Sequence, residues 1–289
     1  MAGVAPLLVI VGPTSSGKTS FAIKMAQKYK GEIISADSRT IYRGMDIGTA
    51  KPTEQDIKKN PHHLINIVDP DQRFTVADFK KMATKTIDEV WNRGKIPIMV
   101  GGSGLFIDSV IYNYSFGRSP GQHDRESLNE LSIEELQAKC KELGISLPEN
   151  STNKRYLVRA IEVGGLSKKD NVVRDNTLIV GIYNERTELK NRIERRLEQM
   201  LQSGVIEETK KLSKKYGWNC EPMKSNIYRS LRGYLNDEID LDQAKQEIIK
   251  SDIRLAKKQM TWFKRNKSIV WGVPDELEPI IDNFVKKIN

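Results

Sequence analysis

The stretch that decides the fold is Leu7-Leu8-Val9-Ile10-Val11-Gly12-Pro13-Thr14-Ser15-Ser16-Gly17-Lys18-Thr19. It begins with an unbroken apolar run, which is typical of a strand buried on both faces of a parallel sheet. It ends in the pattern G-x-x-x-x-G-K-[ST], and an apolar helical pattern follows. In such a loop the backbone N–H groups surround a phosphate, Lys18 adds positive charge, and the Thr19 hydroxyl can bind Mg²⁺. We therefore predict a phosphate-binding loop, called the P-loop here (residues 12–19), between a strand and a helix.

Two further apolar runs, Glu32–Ala36 and Ile96–Val100, alternate with helical patterns in the order that produces parallel sheets. Asp37 follows the first run, and the glycine-rich turn at residues 101–104, which contains Ser103, follows the second. The carboxyl ends of parallel strands are where open α/β sheets bind ligands. Asp37 has two possible roles there: a Mg²⁺ ligand, as in a kinase, or a general base that takes a proton from an incoming nucleophile.

The segment 114–175 has a different character from the rest of the chain. Pro120, Pro148 and Gly164-Gly165 interrupt polar, lysine-rich helical stretches, with Leu131, Leu136 and Leu143 as a thin apolar stripe. The apolar run at residues 177–182 then predicts a strand that returns to the sheet. We predict an α/β protein with a P-loop NTPase-like parallel sheet flanked by helices, formed by residues 1–113 and 176–289, and an inserted α-helical lid at 114–175.

The charge balance favours a polyanionic partner. Lys and Arg total 47 against 38 Asp and Glu, a net charge of +9. Residues 250–267 are especially basic, with Trp262 and Phe263 interleaved, and this stretch is either a solvated helix face or a nucleic-acid-binding surface.

Several classes of protein are excluded or disfavoured. The mean hydropathy is −0.52, and no apolar run approaches the ~20 residues that a membrane helix needs. Cys140 and Cys220 lie far apart and suggest neither a disulfide framework nor a zinc site, so we expect a cytoplasmic protein. His62-His63 has no third ligand at a suitable spacing, and we interpret it as a structural turn rather than a metal site.

Taken together, the motifs resemble those of the tRNA dimethylallyltransferases of bacterial type, and the resemblance covers most of the chain. Besides the P-loop, the matching segments are Ser35–Ser38 with Ile41–Pro52, Pro61–Leu64, Asp78-Phe79, Arg93–Pro97 with Gly101–Leu105, Arg159–Val163, Arg192-Ile193 with Arg196, Met200-Leu201 and Gly204, and Ala256–Phe263. The stretch from Met45 to Pro52 is highly specific to this family.

The resemblance implies a transferase that moves a dimethylallyl group from dimethylallyl diphosphate to N6 of adenine 37 in the anticodon loop of tRNA. Asp37 would be the base, and Ser103 would supply a hydroxyl near the reacting centre. Lys18, Thr19 with Mg²⁺ as the cofactor, and Arg196 would offset charge on the departing diphosphate. The diphosphate-binding residues would be Gly12, Pro13, Thr14, Ser15, Ser16, Gly17, Lys18, Thr19 and Arg196.

The resemblance and the charge pattern also point to residues that contact tRNA. These are Asp37, Ser38, Arg39, Thr40 and Ser103 at the mouth of the site, Arg125, Arg155 and Arg159 in the lid, and Lys257 and Lys258 in the basic stretch. We expect the protein to act as a monomer and not on a membrane. Three alternatives stay open: an adenylate isopentenyltransferase that uses AMP, ADP or ATP as acceptor, a small-molecule P-loop kinase, and a catalytically silent RNA-binding protein.

Overall fold

A computed structural model describes residues 4–116, 122–148, 150–162, 170 and 172–288. The chain divides into two compact units: residues 1–107 with 174–289 form the first, and residues 108–173 form the second.

The first unit is built on a six-stranded, all-parallel sheet. Its strands are β1 (Leu7–Val11), β2 (Glu32–Ser35), β3 (His62–His63), β4 (Pro97–Gly101), β5 (Thr177–Ile182) and β6 (Ile269–Gly272), in the spatial order β3-β2-β4-β1-β5-β6. The central strand β1 pairs with β4 and β5 and is buried along its whole length, as its apolar run predicts.

Within the described residues, twelve helices make up much of the rest of the chain. They are α1 (Lys18–Tyr29), α2 (Glu54–Lys59), α3 (Val76–Asn92), α4 (Gly104–Ile111), α5 (Gln122–Glu130), α6 (Ile133–Glu142), α7 (Lys154–Glu162), α8 (Arg186–Gln202), α9 (Val205–Tyr216), α10 (Asn226–Leu235), α11 (Leu241–Phe263) and α12 (Pro274–Ile288), with a 3₁₀ turn at Glu221–Lys224. Of these helices, α5, α6 and α7 belong to the second unit.

Periodic apolar faces attach several helices of the first unit to its core. Phe21 and Met25 of α1 and Leu277 and Ile281 of α12 pack with residues of β1, β2, β4 and β5 in one cluster. A second cluster joins α8, α9, α10 and α11 to residues 41–45, and Tyr228 is its largest fully buried side chain. Among the described residues, no helix is both long enough and apolar enough to cross a membrane.

The second unit is helical. Its core contains Leu136 and Cys140 of α6 and Leu157 and Val158 of α7. Leu143, expected on the apolar stripe, is instead 53% exposed, because α6 ends before it and its side chain no longer follows the helical face. The parts of the predicted lid at 117–121, 149, 163–169 and 171, with Pro120 and Gly164-Gly165, lie outside the described residues.

The predicted α/β fold with a parallel sheet is confirmed, and two edge strands were missed. The expected turn at His62-His63 is a short strand, since its backbone pairs with β2 and His63 Nε2 lies 2.7 Å from Glu32 Oε2. The strand β6 pairs with β5 at the other edge and is only four residues long. Such short edge strands carry too little alternation to be recognised from sequence.

Candidate active site

One cavity of about 1050 Å³ in the first unit brings together loops from the carboxyl ends of β1, β2 and β4. The cavity is lined by these residues that were predicted from the sequence: Thr14, Ser15, Gly17, Lys18, Thr19, Asp37, Ser38, Arg39, Thr40, Ser103 and Arg196. This is the edge at which parallel sheets bind ligands. The P-loop, the segment after β2 and the glycine-rich turn therefore open onto the same space.

The P-loop has the backbone of an anion-binding loop. Ser15 and Gly17 adopt positive φ angles of 61° and 88°, and Gly17 is the residue that precedes helix α1. Left-handed conformations of this kind turn consecutive N–H groups inward, and the positive end of the helix dipole adds to their effect. The Lys18 Nζ donates a hydrogen bond to the Pro13 carbonyl at 3.0 Å, so its charge is held over the loop.

Several polar atoms around the P-loop are buried without a partner. The hydroxyls of Ser15 and Ser16 and the Nε of Arg196 have no hydrogen-bond partner within the part of the chain that the structure describes. Arg196 Nη1 donates to Thr14 Oγ1 at 2.6 Å, which fixes this guanidinium beside the loop. Buried polar atoms are nearly always paired in native proteins, so unpaired ones at this place indicate groups available to a polar ligand.

The charge of Lys18 is sensitive to its surroundings. Burial lowers the pKa of its ammonium group to about 8; the negative charge of Asp37 opposes this shift, and the positive charge of Arg196 adds to it. A bound anion would restore the balance because it adds negative charge beside the ammonium. The site is therefore electrostatically incomplete and suited to a phosphate or diphosphate.

The segment that carries Asp37 is held at the end of β2 by contacts between its neighbours and the glycine-rich turn. The Asp37 Oδ1 accepts a hydrogen bond from the Arg39 backbone N–H at 2.8 Å. The neighbouring Ser38 N–H donates to Ser103 Oγ at 2.9 Å. Gly101 permits this approach, since a Cβ atom there would collide with the Ala36 carbonyl. Asp37 and Ser103 are thus placed in one rigid arrangement.

Thr40 lines the cavity but its hydroxyl makes internal contacts. Thr40 Oγ1 lies 3.0 Å from Ser35 Oγ and donates to the Asp37 carbonyl at 3.3 Å. The residue is only 6% exposed. Its side chain therefore stabilises the turn that carries Asp37.

The remaining predicted residues lie elsewhere in the chain. Lys257 and Lys258 are exposed on α11 and do not line the cavity. In the second unit, Arg125 and Arg159 both contact the buried carboxylate of Glu162, at 3.5 Å and 3.1 Å, and Arg155 is exposed. Gly12, Pro13 and Ser16 belong to the P-loop but are not among the residues that line the cavity.

Gln259 and Arg192 are among the residues at the site that were not assigned there from the sequence. Gln259 of α11 contacts both the P-loop and the glycine-rich turn through its side-chain amide. Arg192 lines the cavity, and its guanidinium lies close enough to Gly17 to be 3.3 Å from a Cβ built there. Gln259 reaches the site because α11 packs on the glycine-rich turn, where Trp262 meets Gly104, and no short sequence pattern specifies that packing.

A second loop, residues 45–52, forms another wall of the cavity and is bound tightly to the core. Both carboxylate oxygens of Glu208 are used: Oε2 accepts the N–H groups of Asp46 and Ile47 at 2.8 Å each, and Oε1 accepts that of Gly48 at 2.9 Å. The Tyr228 hydroxyl also donates to Glu208 Oε1, at 2.7 Å. We call this segment the Glu208-bound loop.

The residues present fit a magnesium ion that is held mainly by a ligand. Within the described ranges, no three or more His, Cys, Asp or Glu side chains come together to hold a metal. Mg²⁺ in phosphate sites is bound by one or two protein oxygens together with phosphate oxygens and water. Thr19 lines the cavity next to the unpartnered serine hydroxyls and offers such an oxygen.

These features define a class: an α/β P-loop protein whose phosphate-binding loop shares a cavity with a carboxylate. Comparisons with known proteins then identify the family. The family model described as IPP transferase matches residues 40–266. The chain belongs to the IPP transferase family.

Relatives and solved structures agree with this assignment. The chain is 40% identical to a tRNA dimethylallyltransferase of Acetivibrio thermocellus over 96% of each chain, and 35% identical to that of Bacillus subtilis over 98% of this chain and 94% of the relative. It is similar to the crystal structure of the full-length tRNA isopentenylpyrophosphate transferase from Bacillus halodurans, with a TM-score of 0.76 and 33% identity over 98% of both chains. A eukaryotic dimethylallyltransferase acting on tRNA, at 21% identity and a TM-score of 0.79 over 93% of this chain and 74% of that one, supports the fold alone.

Proposed function

We propose that the protein is a tRNA-modifying prenyltransferase that moves the dimethylallyl group of dimethylallyl diphosphate to N6 of adenine 37 in the anticodon loop. The observation that carries the proposal is that the P-loop and the Asp37–Ser103 arrangement line one cavity, in a chain of the IPP transferase family. A kinase would also need a P-loop, but the relatives named above are transferases of a prenyl group to tRNA.

The P-loop would bind the diphosphate as a leaving group. The bond between C1 of the dimethylallyl group and the diphosphate oxygen breaks, and its electron pair leaves with the diphosphate. Lys18 and Arg196 stand where they offset this negative charge, and the unpartnered hydroxyl of Ser15, which lines the cavity, can donate to a phosphate oxygen. The residues that form the cradle are those from Gly12 to Thr19.

Asp37 would take the proton that the adenine amine loses as the new C–N bond forms. An exocyclic adenine amine is a weak nucleophile because its lone pair is delocalised into the ring, so a positioned carboxylate is of most use at this step. The Arg39 N–H occupies Oδ1, which orients the carboxylate and leaves Oδ2 for the proton. The Ser103 hydroxyl, which contacts Ser38, lies beside this centre.

Mg²⁺ is the expected cofactor, with Thr19 as its protein ligand. When bound, the ion would neutralise charge on the diphosphate and so improve it as a leaving group. The protein's own contribution is the hydroxyl of Thr19 at the start of α1, together with the backbone amides that hold the diphosphate in register.

The acceptor would be a nucleotide extruded from the anticodon loop. A base in a loop leaves its stack at lower free-energy cost than a base in a duplex. Ser38, Arg39 and Thr40 line the cavity beside Asp37, and the exposed Lys257 and Lys258, with Arg155, supply positive charge for phosphates. Arg125 and Arg159 are engaged with Glu162 and would contact RNA only through their remaining donors.

The test is transfer of labelled dimethylallyl from its diphosphate, with Mg²⁺, to an unmodified anticodon stem-loop with adenines at positions 36 to 38. AMP and ATP serve as parallel acceptors, and a stem-loop with guanine at position 37 is the matched control. We expect label on the adenine stem-loop only. Label on AMP or ATP alone would mean an adenylate isopentenyltransferase. Phosphoryl transfer from ATP without any prenyl transfer would mean a kinase, and binding without either reaction would mean a silent RNA-binding protein.

A further inference from the structure

One side chain from the C-terminal part of the chain bridges the two loops that form the active site. Gln259 Oε1 accepts a hydrogen bond from the Thr14 backbone N–H at 2.8 Å, and Gln259 Nε2 donates to the Gly102 carbonyl at 3.0 Å. The two bonds use the acceptor and one donor of the same amide group. Thr14 belongs to the P-loop and Gly102 to the glycine-rich turn.

The first of these bonds fixes the P-loop from outside. With its N–H held by Gln259, Thr14 also accepts a hydrogen bond at its hydroxyl from Arg196 at 2.6 Å. Thr14 is 8% exposed, so water offers little replacement for either partner. Gln259 and Arg196 therefore set the position of the P-loop at its third residue, before a ligand is bound.

The second bond continues to the proposed base. Gly102 precedes Ser103, whose Oγ accepts the Ser38 N–H at 2.9 Å and whose N–H donates to the Ala36 carbonyl at 3.2 Å. Asp37 lies between Ala36 and Ser38 in the chain. A continuous series of short contacts thus runs from the P-loop through Gln259 and the glycine-rich turn to the segment that carries Asp37.

Helix α11 gives this bridge a firm base. Trp262, one turn after Gln259, packs against Gly104, where a Cβ atom would collide with its ring. Phe263 and Ala256 of the same helix are buried at 2% exposure. The amide of Gln259 is therefore held by a helix that itself packs against the glycine-rich turn.

We propose that Gln259 is a positioning residue that fixes the distance between the diphosphate-binding loop and the Asp37 carboxylate. The inference rests on the proposed prenyl transfer, in which the leaving group is bound by one of these loops and the proton acceptor by the other. Misplacement of reacting groups by about 1 Å can lower a rate by about 100-fold. Gln259 therefore acts on the chemical step and only weakly on the binding of either substrate.

Two substitutions separate this role from simple packing. Gln259→Met keeps the length of the side chain and removes both hydrogen bonds. Gln259→Glu keeps an acceptor for the Thr14 N–H, but when ionised it sets an oxygen against the Gly102 carbonyl. Once protonated, the same carboxyl can donate to Gly102 and restore both bonds. Gln246→Met, on an exposed position of α11, is the matched control.

The experiment measures kcat at saturating dimethylallyl diphosphate and stem-loop, the KM for each, the thermal midpoint, and the affinity for inorganic pyrophosphate with Mg²⁺. For Gln259→Met we expect kcat to fall by about 10- to 100-fold, with KM values and pyrophosphate affinity within about threefold and Gln246→Met unchanged. For Gln259→Glu we expect the ratio of its kcat to that of the wild type to rise by at least about fivefold between pH 8 and pH 5.5 as the carboxyl is protonated.

The outcomes are distinct. A wild-type kcat for Gln259→Met, or a flat pH ratio for Gln259→Glu, would overturn the positioning role while leaving the proposed function in place. A raised KM for either substrate with an unchanged kcat would also overturn it. If Gln259→Met does not fold, the pH ratio of Gln259→Glu decides. No prenyl transfer by the wild type would instead refute the proposed function, and the inference with it.

Discussion

Two loops that line the same cavity differ in whether their buried polar groups have hydrogen-bond partners. The P-loop buries the hydroxyls of Ser15 and Ser16 without a partner in the described part of the chain. The Glu208-bound loop has three consecutive backbone N–H groups paired with one carboxylate. Lys51 of the second loop is nearly buried as well, and its ammonium contacts Asp46 at 2.7 Å and Asn66 at 2.6 Å.

The difference separates binding from support. Unpaired buried groups reduce stability, so a loop that retains them does so where a ligand can complete them. A loop whose backbone donors are already paired loses no hydrogen bond when a ligand binds, and its role is to support one side of the cavity. Substitutions around the P-loop should therefore change activity more than stability, and substitutions beneath the Glu208-bound loop should do the reverse.

The largest effect on activity is expected for Asp37→Asn. The change removes the proton acceptor but keeps an oxygen that can accept the Arg39 N–H, so the local fold should persist. We expect kcat to fall by about 10²- to 10⁴-fold, with pyrophosphate and stem-loop affinity within a few-fold. Prenyl transfer at saturating concentrations of both substrates measures kcat. Asp71→Asn, at an exposed aspartate, is the control, and a variant of Asp37 with full activity would remove this residue as the base.

The largest effect on stability is expected for Glu208→Ala. Three backbone donors and the Tyr228 hydroxyl lose their acceptor at once. Tyr228 is fully buried, and burial beside the Glu208 carboxylate raises the pKa of its hydroxyl, so this group stays a neutral donor without a partner. We expect the free energy of unfolding to fall by about 3 kcal/mol, measured by urea denaturation.

The adjacent Glu207 provides the matched control. Its side chain is 65% exposed and pairs with Lys210 at 3.0 Å on the helix surface. Surface pairs of this kind contribute under about 1 kcal/mol, so Glu207→Ala should change stability very little. Equal urea midpoints for Glu207→Ala and Glu208→Ala would show that the Glu208-bound loop does not depend on its carboxylate.

The same contrast explains what the sequence could predict. The P-loop, the buried strands and Asp37 are local: each is a motif or an apolar run within a few residues, and the parallel sheet aligns their ends. Glu208 and Gln259 act on partners about 160 and 245 residues away along the chain. Their roles depend on the packing of α9 and α11, which no short pattern specifies. The short strands β3 and β6 were missed because edge pairing, not composition, defines them.

A smaller effect is expected from the titration of Lys18. Because burial lowers the pKa of its ammonium group to about 8, the free enzyme should lose this positive charge as the pH rises through that value. Anion binding then weakens, so kcat/KM for dimethylallyl diphosphate should decline above pH 8, approaching tenfold per pH unit. Lys18→Arg, which stays charged, should not show this decline. Identical alkaline limbs for both proteins would exclude Lys18 as the titrating group.

The smallest effect is expected from substitutions on the exposed face of α11. The same helix also carries the residue that we propose supports the active-site loops. Lys257 and Lys258 are exposed, whereas the next residue, Gln259, contacts the active-site loops. If the two lysines bind RNA phosphates, replacing both with alanine should weaken stem-loop binding several-fold at low salt. It should also reduce the slope of log K against log salt concentration by about 1.5, because each phosphate contact contributes about 0.7 to 0.9.

The pair Lys286 and Lys287 at the end of α12 offers the same change of charge at another exposed place. Replacing it lowers the net charge equally, so any general effect of charge on RNA binding appears in both double variants. A change of slope confined to the Lys257 and Lys258 variant would locate phosphate contacts on α11, next to the residue that holds the active-site loops together. Equal slopes in both variants would make this face a solvated helix surface.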